Sequence, residues 1–242
     1  MSMSKAGGGE AARASRAVPY LLLESRPGLW PALIPNSARH RMIRPEDLEG
    51  MSAVTQERIY TPPDLLSLPE SGKGLELVGG RLVEKRTGGF ASFVAARVVC
   101  LLAAFGQDRG LGWVFDSEGS YQCFPDDPRR VRKPNVSFVR RGRLPEERIP
   151  AGHILIPPDL AVEVVSPSDT AYEVDVKVQE YLAAEVPLVW VVNPETRTVQ
   201  VYRGDGTVER LRELDELTAP DLFPDLSYPV AGLFTLPVAA LG

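Results

Sequence analysis

The chain has 242 residues, 44% hydrophobic and 24% charged, with a formal net charge of −5, ordinary values for a globular domain with a sizeable core. That acidic balance argues against a protein held to nucleic acid by bulk electrostatics. Two cysteines and two histidines argue against a disulfide scaffold, a zinc site or a Ser-His-Asp hydrolase, so carboxylates and lysine must carry any chemistry.

Residues 1–50 begin "MSMSKAGGGEAARAS", too small and polar to bury a core. They continue with apolar residues that keep no helical or strand period. "MSAVTQERIYTPPDLL" from Met51 looks like a fresh start, so 1–50 is expected to be an N-terminal extension and 51–242 a single domain. No uninterrupted apolar run reaches the roughly 18 residues of a membrane span, and the cytoplasm is the default location.

A short helix is expected near 62–68, with prolines first and Asp64 in its first turn. In "LELVGGRLVEK" two apolar runs meet at Gly79-Gly80, a hairpin signal. "FASFVAARVVCLLAAF", residues 90–105, repeats its large apolar residues at helical spacing and predicts a helix packed on a sheet, with Cys100 in the core. Strands follow near 112–116, 119–124 and 136–140. Then "PDLAVEVVSP" is a strand, "SDTAYEVDVKVQEYLAAE" a capped helix and "LVWVVN" a buried strand. "TVQVYR" adds a hairpin near 187–203, and "TVERLREL" one more edge strand. The order predicts an α/β fold around a mixed sheet.

Side-chain parity then selects candidates. Glu163 shares a strand face with Ala161 and Val165, opposite Leu160, Val162 and Val164. A carboxylate in so apolar a strand needs a partner or a metal. Lys177, at the border of the sheet-facing side of the next helix, is the obvious partner in a purely structural salt bridge. Asn135 and Ser137 share one face of the "RKPNVSFV" strand, and adjacent strands would bring residue 135 to Glu163. A carboxylate, a second oxygen ligand and a lysine at one sheet edge suit metal-assisted phosphodiester hydrolysis, with Mg²⁺ polarising the phosphate. Arg129, Arg130, Arg132 and Lys133 cluster just before this strand, either as a solvated loop or as DNA-contact candidates.

The segments "ELVGGRLVEK", "RKPNVSFV", "PDLAVEVVSPSD" and "KVQEYLAAEVPLVWVVNPETRTVQVYR" resemble, in order and spacing, the bacterial Uma-type family of restriction endonucleases, within the PD-(D/E)XK nuclease superfamily. The resemblance covers roughly 57–235. It implies a restriction-endonuclease-like core, a mixed central β-sheet flanked by helices with added hairpins, and Mg²⁺- or Mn²⁺-dependent DNA cleavage. Glu163 matches the family's strand glutamate. Lys177 matches its lysine, displaced from the Val165 position to the helix, and Glu76 matches an early supporting glutamate. Asn135 stands where the family has its metal-binding aspartate.

That departure sets the expectations. An amide offers one neutral oxygen in place of a charged carboxylate, so metal binding and activity should be weak or absent unless a nearby acid, Asp126, Asp127 or Glu118, has been recruited. The alternative is a catalytically inactive nuclease-fold module that binds DNA or a protein through the 129–143 basic cluster. A homodimer through the edge hairpin near 187–203 is the remaining candidate.

Overall fold

The computed structural model describes residues 58–237, all within one compact unit, Thr55–Gly242. The expected extension, residues 1–50, lies outside the described residues. At the start, α1 (Pro62–Ser67) is closed by a capping box in which Thr61 and Asp64 satisfy each other's backbone N–H. It leads to the hairpin β1 (Leu75–Val78) and β2 (Arg81–Glu84). Gly79 and Gly80 both take positive φ at the turn, which only a tight primed turn requires and only glycine adopts without strain.

The centre is a six-stranded sheet in the order β3-β4-β5-β6-β7-β8. Its strands are β3 (Gly112–Phe115), β4 (Val136–Arg140), β5 (Leu160–Val164), β6 (Leu188–Asn193), β7 (Thr198–Arg203) and β8 (Val208–Leu211). Only β5 and β6 pair in parallel, and the helix α3 (Ala171–Ala183) makes that crossover. The sheet is therefore mixed, as the order of predicted elements required.

Strand parity separates two cores. Leu160, Val162 and Val164 of β5, with Val136 and Phe138 of β4, face α2 (Gly89–Leu102). The hairpin β9 (Glu216–Ala219) and β10 (Phe223–Pro229) and the short α4 (Val230–Phe234) close the same side. Ala161, Val189 and Val191 face the opposite side, against Val178 and Tyr181 of α3.

Several local expectations change. Residues 119–124 form no strand; only Tyr121 bridges, to Arg132 and Ile154, and these single bridges do not extend into a ladder. Cys100 is exposed rather than core. The helix buries Ala91, Val94, Val98, Leu101 and Leu102, and Cys100 falls with Ser92 and Ala96 on the exposed face. Together with a π-helical extension, Gly89–Gln107 is long and apolar enough to cross a membrane by length and composition, with mean hydropathy 1.9. Its buried face, however, is packed on the sheet. The hairpin near 187–203 is not an edge either: β6 lies between β5 and β7, and β8 covers β7.

Candidate functional site

The site assembles where the β1–β2 hairpin, β4, β5 and α3 meet. Two backbone hydrogen bonds fix the hairpin to the segment before β4: Leu77 N–H donates to Val131 O at 3.0 Å, and Val131 N–H to Leu77 O at 2.8 Å. That single bridge sets the register that places Glu76 beside Arg132 and Lys133. From the other side, the β4–β5 register pairs Val136 with Val162, so residue 135 comes opposite Glu163. Thr170 and Glu173 form a capping box that starts α3. Lys177 and Tyr181 then follow one turn apart on the face that meets Glu163.

Tyr181 donates its hydroxyl to Glu163 Oε1 at 2.8 Å, and Lys177 Nζ lies 3.3 Å from Glu163 Oε2 and 3.6 Å from Glu76 Oε2. Glu76 also accepts from Arg132 at 3.0 Å and from the Lys133 backbone N–H at 2.9 Å. Arg132 in turn donates to Glu180 at 2.6 Å, and Arg130 lies 3.3 Å from the same carboxylate. Glu163, Asn135, Lys177 and Glu76 line one cleft of about 250 Å³, shared with Lys85, Arg132, Asp169 and Tyr172. The three groups picked from separate sequence segments, an amide, an acid and an amine, do meet.

Burial and charge oppose each other here. Desolvation raises the Glu76 carboxyl, but Lys177, Arg132 and Lys85 outweigh it and hold its pKa below the ordinary value. Desolvation likewise disfavours the Lys177 ammonium, yet Glu163 and Glu76 outweigh it and keep its pKa raised. Lys177 is thus a fixed cation, not a base. Burial, helped by the Glu163 charge, pushes the Tyr181 phenol well above its usual value, so it stays a hydrogen-bond donor. Lys85 goes the other way: burial depresses its amine despite Glu163 and Glu76 nearby.

The donor set does not fit a divalent cation as it stands. Mg²⁺ and Mn²⁺ want several hard, preferably charged oxygens. Both Glu163 oxygens already accept, one from Tyr181 and one from Lys177. Asn135 Oδ1 accepts from the Val164 backbone N–H at 2.9 Å, which commits the amide's oxygen to β5. Among the described residues no group of three or more His, Cys, Asp or Glu is placed to hold a metal. Aspartate at 135 would add a negative charge opposite Glu163 in the strand register; asparagine adds none.

The acids considered as replacements do not reach the cleft. Asp126 pairs with Arg130 at 2.8 Å, Glu118 with Lys133 at 2.8 Å, and Asp127 lies 3.7 Å from Arg129. The basic cluster is corrected in the same way. Arg132 is 5% exposed and Lys133 3%, and Lys133 Nζ also donates to Gly72 O. Arg130 is held between Asp126 and Glu180. These three are internal ion-pair partners, and Arg129 alone of the four DNA-contact candidates is exposed. Arg140 and Arg143 are likewise drawn onto the buried Asp159, at 2.7 and 2.8 Å. His153 is structural, bonded to Ser120 and Pro62 O, with its pKa lowered by burial.

Two contributors escaped the sequence reading. Tyr181 belongs to no motif, though its i,i+4 spacing from Lys177 is a signal. Lys85 ends the hairpin with no pattern to mark it.

A model of the Uma2 family, described as "Putative restriction endonuclease", matches residues 62–234. No curated protein matches the chain. Among solved structures, one from Anabaena variabilis ATCC 29413, titled as a "putative nuclease belonging to DUF820", superposes with a TM-score of 0.61 at 24% identity, covering 72% of this chain and 97% of that one; at that identity the likeness speaks for the fold. The matched span holds α1, every strand, Glu76, Asn135, Glu163 and Lys177, and the chain belongs to the Uma2 family of restriction-endonuclease-like proteins.

Proposed function

We propose that this cleft acts on the phosphodiester backbone of DNA, and that in this chain its divalent-cation-dependent hydrolysis is suppressed at residue 135. Family membership supports the substrate and reaction class. The observation that carries the second half is the Asn135 amide, neutral and bound to Val164 N–H at 2.9 Å, beside a Glu163 whose two oxygens are already engaged. Losing one charge next to a divalent ion costs several kcal/mol, on the order of a hundredfold or more in affinity or rate. Lys177, held protonated by its two carboxylates, is suited to stabilise a negative phosphoryl transition state rather than to accept a proton. Tyr181 orients Glu163.

Supercoiled-plasmid relaxation with Mg²⁺ or Mn²⁺, on the native chain and on Asn135→Asp, tests this together with calorimetric titration of each ion. Asn135→Asp is expected to bind the ion and nick the plasmid at least about a hundredfold faster than the native chain. If the aspartate variant, folded as judged by circular dichroism, neither binds an ion nor cleaves, the nuclease reading is wrong.

A further inference from the structure

Lys85 stands apart from the other cations around the cleft. Lys177 is paired with Glu163 and Glu76, Arg132 with Glu76 and Glu180, Arg130 with Asp126 and Glu180, and Lys133 with Glu118. Among the described residues no carboxylate lies within ion-pair distance of Lys85; its amine donates to one neutral acceptor, Lys133 O. The backbone is fixed just as firmly, since Lys85 N–H donates to Gly74 O at 2.8 Å. The side chain is therefore held in the cleft that Glu163 and Lys177 also line, with ammonium protons still to be satisfied. A part-buried cation with no carboxylate in contact gains by taking an anion. Burial lowers its amine pKa, while the charges of Glu163, Glu76 and Glu118 act to raise it. Phosphate fits the place: the cleft is open, about 250 Å³ in volume, and Lys177 also lines it.

We propose that Lys85 binds a non-bridging phosphate oxygen of the DNA backbone in this cleft, directly and without a metal ion. This rests on the cleft being a phosphodiester site, and it adds a ligand that the acid–amide–lysine set does not contain. Lys85 is a substrate-binding residue here, acting by charge.

The test is fluorescence anisotropy of a short labelled DNA duplex with the full native chain in EDTA, over a range of salt. Lys85→Gln is expected to weaken binding about tenfold and to reduce the slope of log K against log salt by about one, while Lys85→Arg retains binding. If Lys85→Gln fails to fold, Lys85→Met, which keeps the apolar stem, gives the same reading. Binding and salt slope unchanged in a folded charge-removing variant overturn the assignment, as does no measurable binding by the native chain in EDTA. Plasmid cleavage separates this from the nuclease reading. Inert Asn135→Asp sinks that reading whatever Lys85 does. If Asn135→Asp cleaves, adding Lys85→Gln should raise KM with kcat unchanged; a loss in kcat alone would rule out the binding role.

Discussion

Replacing Glu76 with glutamine separates support of the site from participation in it. The side chain is almost isosteric and 2% exposed in the native chain, so no cavity opens and the effect is electrostatic. Arg132 at 3.0 Å loses one of its two carboxylates and keeps Glu180 at 2.6 Å. Lys177 loses one at 3.6 Å and keeps Glu163 at 3.3 Å. Removing one partner from a buried pair costs about 3–5 kcal/mol. Because both cations retain a second carboxylate, the lower end applies, about 3 kcal/mol, or roughly 6–12 °C in Tm for a domain of this size. The pH dependence gives a second signature. The folded Glu76 pKa lies below its ordinary value of 4.5, so its stabilisation is complete above that pH and is lost as pH falls through the folded value. Urea unfolding of native and Glu76→Gln proteins should therefore differ by a constant amount near neutrality and converge under acid conditions. A difference under about 1 kcal/mol at pH 7, or one that persists unchanged into acid, would refute the view that Glu76 holds the site together by charge.

Tyr181→Phe removes the hydroxyl that donates to Glu163 Oε1 at 2.8 Å. It should cost about 1.5–3 kcal/mol in urea unfolding, and in the Asn135→Asp background should slow plasmid cleavage. Asn135→Ala strands the Val164 N–H that the amide now satisfies and should cost about 1–3 kcal/mol. Asn135→Asp keeps an acceptor there and should remain close to native stability; differential scanning calorimetry of the three proteins would show the order. On the alkaline side, the raised Lys177 pKa means its contribution is full below the ordinary 10.5 and falls as pH rises through the folded value. Lys177→Met should flatten the loss of Tm above that pH.

Much of this molecule is legible from local chemistry. Gly79-Gly80 announces its hairpin because few other residues accept two successive positive φ angles. Thr170 and Glu173 announce the start of α3 because the capping box is a contact between residues three apart. Parity along "AVEVV" put Glu163 opposite Leu160, Val162 and Val164, and the two cores divide there. All of these are short-range in sequence, so the chain carries them without knowledge of what lies across the fold.

What Arg132, Lys133 and Asn135 do was not readable in that way. A run of basic residues looks the same whether it faces solvent or a buried acid. The Leu77–Val131 bridge, joining segments far apart in the chain, turned the Arg132 side chain and the Lys133 backbone N–H onto Glu76, with the Lys133 ammonium on Glu118. Lys85 was left as the cation without a carboxylate by the same long-range accounting of charge. At residue 135 the amino acid alone showed that a negative charge was missing. Only the pairing of β4 with β5 decided that the remaining oxygen is spent on Val164 N–H, because a hydrogen bond across strands depends on register, and register is a property of the assembled sheet.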